Sequence, residues 1–201
     1  MQQPQEKPFS EMESLKIIDA MINTARNKMT ENGHLYLLWG WVILICSTGH
    51  YLMRHVFNLP NYWIIWLLTW AAGIYQVVYL VRQQKKKRVS TYSDDILKYV
   101  WLVFSVLMIL MALLLSRIVK EPEQINMATL ALYGMPTFLS GIILKFKPLM
   151  WGGIGCWLLS VLAMFIPVHY YMLLISAAVI VAWIIPGYLL QFKYKKQNAA
   201  L

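Results

Sequence analysis

The sequence predicts an all-α fold: a six-span transmembrane helical bundle preceded by a cytoplasmic amphipathic helix. Two observations lead to this prediction. The first is composition, because 59% of the 201 residues are hydrophobic, 13% are charged and the mean hydropathy is +0.53, outside the balance of soluble domains. The second is arrangement, because the apolar residues come in blocks of about twenty, the length of helix that crosses the hydrocarbon core of a bilayer.

The N-terminal residues are predicted to form a polar tail followed by an interfacial or docking helix. Ser10 and Glu13 form a capping box, a signal for the start of a helix. Apolar side chains then recur at helical spacing on one face, which suits a protein partner or the membrane surface: Leu15, Ile18 and Ile22. This helix is too polar to span, and Asn32-Gly33 is expected to end it, since glycine tolerates the left-handed conformation found at helix ends.

Six apolar runs joined by short polar links follow this helix. They are predicted to span at residues 35–53, 62–81, 97–119, 125–144, 149–167 and 170–190. The chain is therefore divided into a cytoplasmic tail with its amphipathic helix (1–33), a six-helix transmembrane domain (34–192) and a basic cytoplasmic tail (193–201).

A basic tract between the second and third runs orients the bundle. Its cations are Arg82, Lys85, Lys86, Lys87 and Arg88. Lys and Arg close to membrane spans are retained on the cytoplasmic side, and there these cations are expected to contact anionic lipid headgroups. With six spans, only Arg54, Arg117 and Lys120 of the 18 Lys and Arg residues fall outside. Both termini are therefore predicted to be cytoplasmic.

Several functional classes are not expected. The net charge of +9 does not indicate nucleic-acid binding, because the cations flank the apolar runs instead of covering one face. Cys46 and Cys156 lie inside apolar runs without metal-ligand spacing, so neither a metal site nor a disulfide framework is predicted. Motifs of zinc proteases, serine hydrolases and phosphate loops are missing from the sequence, and all nine acids lie outside the apolar cores. We expect no catalytic residues, no cofactor and no enzyme activity.

A tryptophan stripe is the first candidate site. Trp63, Trp66 and Trp70 follow i, i+3, i+7 spacing on the second run. Stacked indoles can line a cavity for a cation or a ring. The alternative, which is the more common role of such a stripe, is helix packing that continues an aromatic belt.

The outer end of the first run is the second candidate site. His50 and Arg54 lie four residues apart, with His55 beside them. Because histidine changes charge near neutral pH, these residues suggest an anion-binding or pH-sensing site. The alternative is that they are interface residues, with Arg54 paired to Glu121 or Glu123.

Small residues and prolines predict how the runs pack. Gly152, Cys156 and Ser160 recur at four-residue spacing, which indicates close helix–helix contact. Pro136 and Pro186 lack a backbone donor, so they are expected to bend the fourth and sixth runs. Bends that free carbonyl groups are one way to build a site at the middle of the membrane.

Three stretches carry a resemblance to a known family: ESLKIIDAMINTAR leading into LYLLWGWVIL, then MPTFLSGIILKFKPLMWGGIGCW, then IIPGYLLQFK. Over most of the chain they resemble a family of uncharacterised bacterial polytopic integral membrane proteins. The resemblance implies a location in the bacterial inner membrane. It transfers no activity and no site residue.

Two functions remain open. In the first, a non-enzymatic membrane scaffold or regulator acts through a protein partner, or as a homo-oligomer, with the Leu15, Ile18 and Ile22 face as the contact. In the second, a small permease or a ligand- or lipid-binding membrane protein uses the bent fourth and sixth runs with the tryptophan stripe. The short loops and the missing catalytic groups favour the first.

Overall fold

The computed structural model describes residues 33–84, 92–118 and 124–199, and all regular structure in these ranges is helical. The helices are α1 (Gly33–Val56), α2 (Leu67–Gln84, preceded by a 3₁₀ segment at Tyr62–Trp66), α3 (Tyr92–Ile118), α4 (Ile125–Ile143), α5 (Lys147–Ala163) and α6 (Tyr171–Val179 and Ile185–Ala199, joined by a π-helical segment at Ile180–Ile184). They lie where the six apolar runs were predicted. The amphipathic helix with Leu15, Ile18 and Ile22 lies outside the described residues.

Four of the described helices are long and apolar enough to cross a membrane, namely α1, α2, α3 and α6. α5 is apolar but shorter, with 17 residues. α4 has 19 residues and contains Pro136 in its interior.

The packing of α1 against α6 is antiparallel and tight. A Cβ on Gly40 would lie 2.7 Å from the side chain of Ile184. Further along α1 and further back along α6, the buried hydroxyls of Ser47 and Ser176 are 2.7 Å apart and hydrogen-bonded. The Ile43 carbonyl is a further partner of the Ser47 hydroxyl, and the Met172 carbonyl is a further partner of the Ser176 hydroxyl. Both buried hydroxyls are therefore satisfied within the contact between α1 and α6.

Gly33 corrects one expectation. It does not end a helix in the left-handed conformation, since no described glycine has a positive φ. Gly33 instead lies within α1, and a Cβ there would come 3.4 Å from the carbonyl oxygen of Gly187. Gly33 therefore lies where α1 approaches α6, and that position cannot be read from the local sequence.

α4 and α5 form a tight antiparallel hairpin. A Cβ on Gly141 would lie 2.6 Å from the Met150 nitrogen, and a Cβ on Gly153 would lie 2.8 Å from the Gly134 oxygen. The turn between them has Lys145 at φ 49°. This left-handed residue lets Phe146 N–H donate to Gly141 O over 2.8 Å, which satisfies a carbonyl at the end of α4.

The core lies among α1, α4, α5 and α6, where the largest fully buried side chains include Leu130, Leu149, Ile175 and Leu190. α2 packs on α1, and α3 packs mainly on α4. α2 and α3 barely touch each other, and almost none of their residues are buried. This separation leaves a space between α2 and α3.

Candidate functional site

A cavity of about 960 Å³ lies between α1, α2 and α3, and it is termed the lateral cavity. Its walls come from residues 35–43 of α1, 66–80 of α2 and 97–109 of α3, while α4 and α6 contribute Tyr133 and Trp183. Ligand pockets typically measure about 300–1,000 Å³. The lateral cavity is therefore of a size that takes a ligand with many carbon atoms.

The lateral cavity opens to the side of the bundle, between α2 and α3. Trp70 and Ile74 on α2 and Ile109 on α3 line it and are largely exposed. Because α2 and α3 barely touch, their facing surfaces form an entrance. In a bilayer, such an entrance faces hydrocarbon and not water.

Five aromatic side chains form the floor of the lateral cavity, and they are termed the aromatic floor. Trp101 is central, with ring centroids 5.8 Å from Tyr36 and 5.5 Å from Phe104. Trp183 completes the set, 6.2 Å from Trp101 and 4.9 Å from Tyr133. These separations are those of favourable aromatic pairs, so the floor is a rigid apolar surface built from four helices.

Trp183 is held in place by a buried hydrogen bond between α6 and α4. Its Nε1 donates to Thr137 Oγ1 over 2.9 Å, and that hydroxyl donates to the carbonyl of Tyr133 over 2.8 Å. Trp183 belongs to the π-helical segment that ends two residues before Pro186. A proline cannot donate to the carbonyl four residues earlier and its ring collides with that carbonyl, so a wider turn here relieves both problems.

The polar groups on the walls are mostly bound to other protein groups. Thr69 Oγ1 donates to the Trp66 carbonyl over 2.6 Å, and Ser105 Oγ donates to the Trp101 carbonyl over 2.8 Å. Both are bonds back to the residue's own helix, a common way for hydroxyls to be satisfied in apolar surroundings. The interior of the lateral cavity is therefore apolar in effect, although it contains hydroxyl residues.

Gly73 leaves room in the wall of α2. It lines the lateral cavity, and a Cβ built on it would meet nothing within 4 Å. The other described glycines differ, since a Cβ at Gly141, Gly152 or Gly153 would meet backbone atoms under 3.0 Å away. Gly73 is thus the glycine where a side chain can be added into the cavity without disturbing helix packing.

The structure separates the residues of the tryptophan stripe. Trp66 and Trp70 line the lateral cavity, whereas Trp63 does not. Trp63 and Trp70 are 57% and 74% exposed, and only Trp66 is partly buried. The stripe crosses the change from 3₁₀ to α-helix after Trp66, so its members do not share one environment.

The structure brings His50 and Arg54 together with Trp66 through Tyr62. The Trp66 indole donates to His50 Nδ1 over 2.9 Å. The Tyr62 ring lies 4.7 Å from the His50 ring, and the Arg54 guanidinium carbon is 5.0 Å from the Tyr62 centroid. His50 is only 6% exposed, so it is part of the packing between α1 and α2.

Other aromatic contacts link the end of α1 to the start of α6. His55 and His169 have ring centroids 5.9 Å apart, and Tyr51 stacks on Tyr170 at 6.3 Å. A π-helical segment, Leu52–Val56, ends α1 here. Glu121 and Glu123 lie outside the described residues, so the expected pairing of Arg54 with either stays a prediction.

The small-residue stripe and the cysteines have packing roles. A Cβ on Gly152 would lie 2.7 Å from the Cα of Ala182, and Ser160 Oγ donates to the Met127 carbonyl over 2.9 Å. Cys46 and Cys156 are buried free thiols. Within residues 33–84, 92–118 and 124–199, no group of three or more His, Cys, Asp or Glu residues is placed to hold a metal ion.

Sequence reasoning missed most of the lateral cavity. It had not singled out the lining residues Gly73, Lys98, Trp101 and Trp183. Two signals were present: an isolated glycine inside a helical run, which often has a packing or functional reason, and Trp183, a tryptophan well inside an apolar run instead of at its end.

Neither a protein-family model, nor a curated protein, nor a solved structure matches the chain. Among the described residues, the lateral cavity is the feature from which a function can best be proposed.

Proposed function

We propose that this protein is a non-enzymatic integral protein of the bacterial inner membrane that binds a lipid-like ligand in the lateral cavity. The observation that carries the proposal is a large space that opens sideways between α2 and α3 and has polar wall groups bound to other protein groups. Such walls offer little to a polar solute, because its own polar groups would lose water without gaining partners. An apolar chain can enter directly from the bilayer.

The proposed topology has six spans, with both termini in the cytoplasm. The antiparallel packing of α1 on α6 and of α4 on α5 supports it, because successive spans must alternate in direction. α4 and α5 are included as spans since helices of their length measure roughly 25–29 Å, close to the hydrocarbon thickness of about 30 Å. The distribution of Lys and Arg supports the same orientation.

Binding is favoured over transport by the extent of the lateral cavity. Along α3 its lining stops at Ile109, although the helix continues to Ile118. Along α2 it stops at Trp66, whose indole is bonded to His50. The described cavity therefore reaches only part of the way across the bundle, as expected of a binding site entered from one side.

Photo-crosslinking tests this function. The full chain is placed in lipid nanodiscs with a phosphatidylcholine that carries a diazirine in its acyl chain, and crosslinked residues are mapped by mass spectrometry. Crosslinks are expected on the cavity residues Trp101 and Met108, in addition to the exposed outer residue Leu113.

Gly73→Phe fills part of the lateral cavity and should lower the crosslinks at Trp101 and Met108 several-fold while leaving Leu113 unchanged. Gly73→Ala is the matched control, since it also raises helix propensity above that of glycine but adds little volume. If Trp101, Met108 and Leu113 were crosslinked equally in Gly73→Phe and in Gly73→Ala, the lateral cavity would hold no lipid.

The partner-dependent role remains a separate proposal, because its contact face lies outside the described residues. It rests on the predicted amphipathic helix with Leu15, Ile18 and Ile22. Replacement of Ile18 and Ile22 by Asp should abolish recovery of a partner with the tagged protein. Unchanged recovery would remove this role and leave lipid binding unaffected.

A further inference from the structure

We infer that the lateral cavity takes an anionic membrane lipid, with its negatively charged headgroup against Lys98 and an acyl chain along the aromatic floor. The inference rests on the proposed lipid-binding function and names the class of ligand. The lipid comes from the leaflet at the end of the bundle where residues 85–91 connect α2 to α3.

Positive charge is concentrated at this end of the lateral cavity. Among the described residues that line it, Lys98 is the one that carries a charge. Arg82 lies in the last turn of α2, and the short link to α3 places it at the same end as Lys98. The sequence from 82 to 98 contains four further cations against two acids, Asp94 and Asp95. This excess of cations favours an anionic headgroup.

Beyond Lys98 the lining becomes apolar. The hydroxyls of Thr69 and Ser105 are turned to carbonyls of their own helices. Aliphatic side chains of α2 and α3, together with the aromatic floor, provide most of the remaining surface. From Lys98 to Ile109 the lining of α3 extends about 16 Å at 1.5 Å per residue, which is half of a hydrocarbon core of about 30 Å. Along α2 the lining extends further, from Leu80 to Trp66, about 21 Å at the same rise per residue. The apolar part is therefore deep enough for the chains of a single lipid.

The position of Lys98 sets the orientation of the lipid. A lysine near the end of a membrane helix extends its amine towards the headgroup region while its alkyl stem covers apolar surface. A headgroup that meets this amine must therefore lie at the 85–91 end, and its chains can only run inward. A zwitterionic lipid of the same shape fills the same space but gains less from the excess of cations.

Native mass spectrometry of the full chain in mild detergent tests the inference. The probes are phosphatidylglycerol and phosphatidylcholine with identical acyl chains. The wild-type protein is expected to bind phosphatidylglycerol about fivefold more tightly, the effect of one lysine near an anionic headgroup. Lys98→Gln should reduce this preference, because it weakens phosphatidylglycerol binding more than phosphatidylcholine binding. Lys145→Gln changes an exposed cation that does not line the cavity, so it should keep the preference.

The outcomes separate the inference from the proposed function. Suppose that Gly73→Phe loses both lipids but Lys98→Gln keeps the preference for phosphatidylglycerol. This result would overturn the role of Lys98 and leave the proposed lipid binding in place. Equal binding of the two lipids by the wild-type protein would also overturn it. Binding of both lipids unaffected by Gly73→Phe would instead overturn the proposed function itself.

Discussion

The indole Nε1 of Trp66 donates a hydrogen bond to Nδ1 of His50 over 2.9 Å. Because an indole nitrogen can only donate, Nδ1 must accept, and neutral His50 carries its proton on Nε2. The bond joins α1 to α2 and holds a side chain that lines the lateral cavity. His50, which the sequence predicted at a polar outer site, therefore helps to hold Trp66 in the wall of the lateral cavity.

The bond between Trp66 and His50 should be measurable by a double-mutant cycle. His50→Leu leaves the indole N–H without its acceptor and is expected to lower the free energy of unfolding by about 1–2 kcal/mol. Trp66→Phe removes the donor, so the effects of the two substitutions should be non-additive by about 1 kcal/mol. Unfolding in mixed detergent micelles gives all four values. Strict additivity would show that the bond contributes nothing.

The Trp183–Thr137 bond should contribute to the stability of the aromatic floor. Thr137→Val keeps the shape of the side chain but removes the acceptor for Trp183, with an expected cost of about 1–3 kcal/mol. Thr129→Val is the control, since the Thr129 hydroxyl donates to the Ile125 carbonyl of its own helix, over 3.1 Å, and not to another helix among the described residues. Thermal unfolding compares the two variants, and equal losses would contradict the predicted role of Thr137.

The same substitution should affect stability at Gly152 but not at Gly73. Gly152→Val places a side chain against the backbone of Ala182, which cannot move away, and should destabilise the protein by about 1–3 kcal/mol or more. Gly73→Val adds a side chain into open space and should leave stability within about 0.5 kcal/mol. Circular dichroism melting measures both. A large loss of stability in Gly73→Val would mean that the space beside Gly73 is filled by other side chains.

The proposed topology predicts which residues a membrane-impermeant maleimide can reach. Asn61→Cys, in the link between α1 and α2, should react in intact cells, whereas Lys86→Cys should react only after lysis. The wild-type protein is the background control, because Cys46 and Cys156 are buried. Labelling of Lys86→Cys but not Asn61→Cys in intact cells would reverse the orientation.

The helices could be predicted from the sequence because their causes are local. Apolar blocks of helical length, separated by polar links, predicted helices that the structure places within a few residues of the expected positions. The small-residue stripe at Gly152 was also interpreted correctly, since lack of a side chain is the requirement for close helix contact.

The candidate site could be predicted only in part. Trp66, Trp70, His50 and Arg54 were named, and the structure assigns the first two to the lateral cavity and bonds His50 to Trp66. Trp63 belongs to neither group. The helical spacing of the stripe was visible in the sequence, but the neighbours that each tryptophan meets were not.

By itself, the sequence determined the helical class, the positions of the helices and the asymmetry of their flanking charges, since each follows from residues adjacent in the chain. Only the tertiary structure decided that α2 and α3 stand apart and that Trp101, Tyr133 and Trp183 meet beneath the gap. The glycines at 73 and 152 show why. One faces empty space and the other faces the backbone of α6, and this difference depends on distances between helices, which arise from packing among residues far apart in the chain.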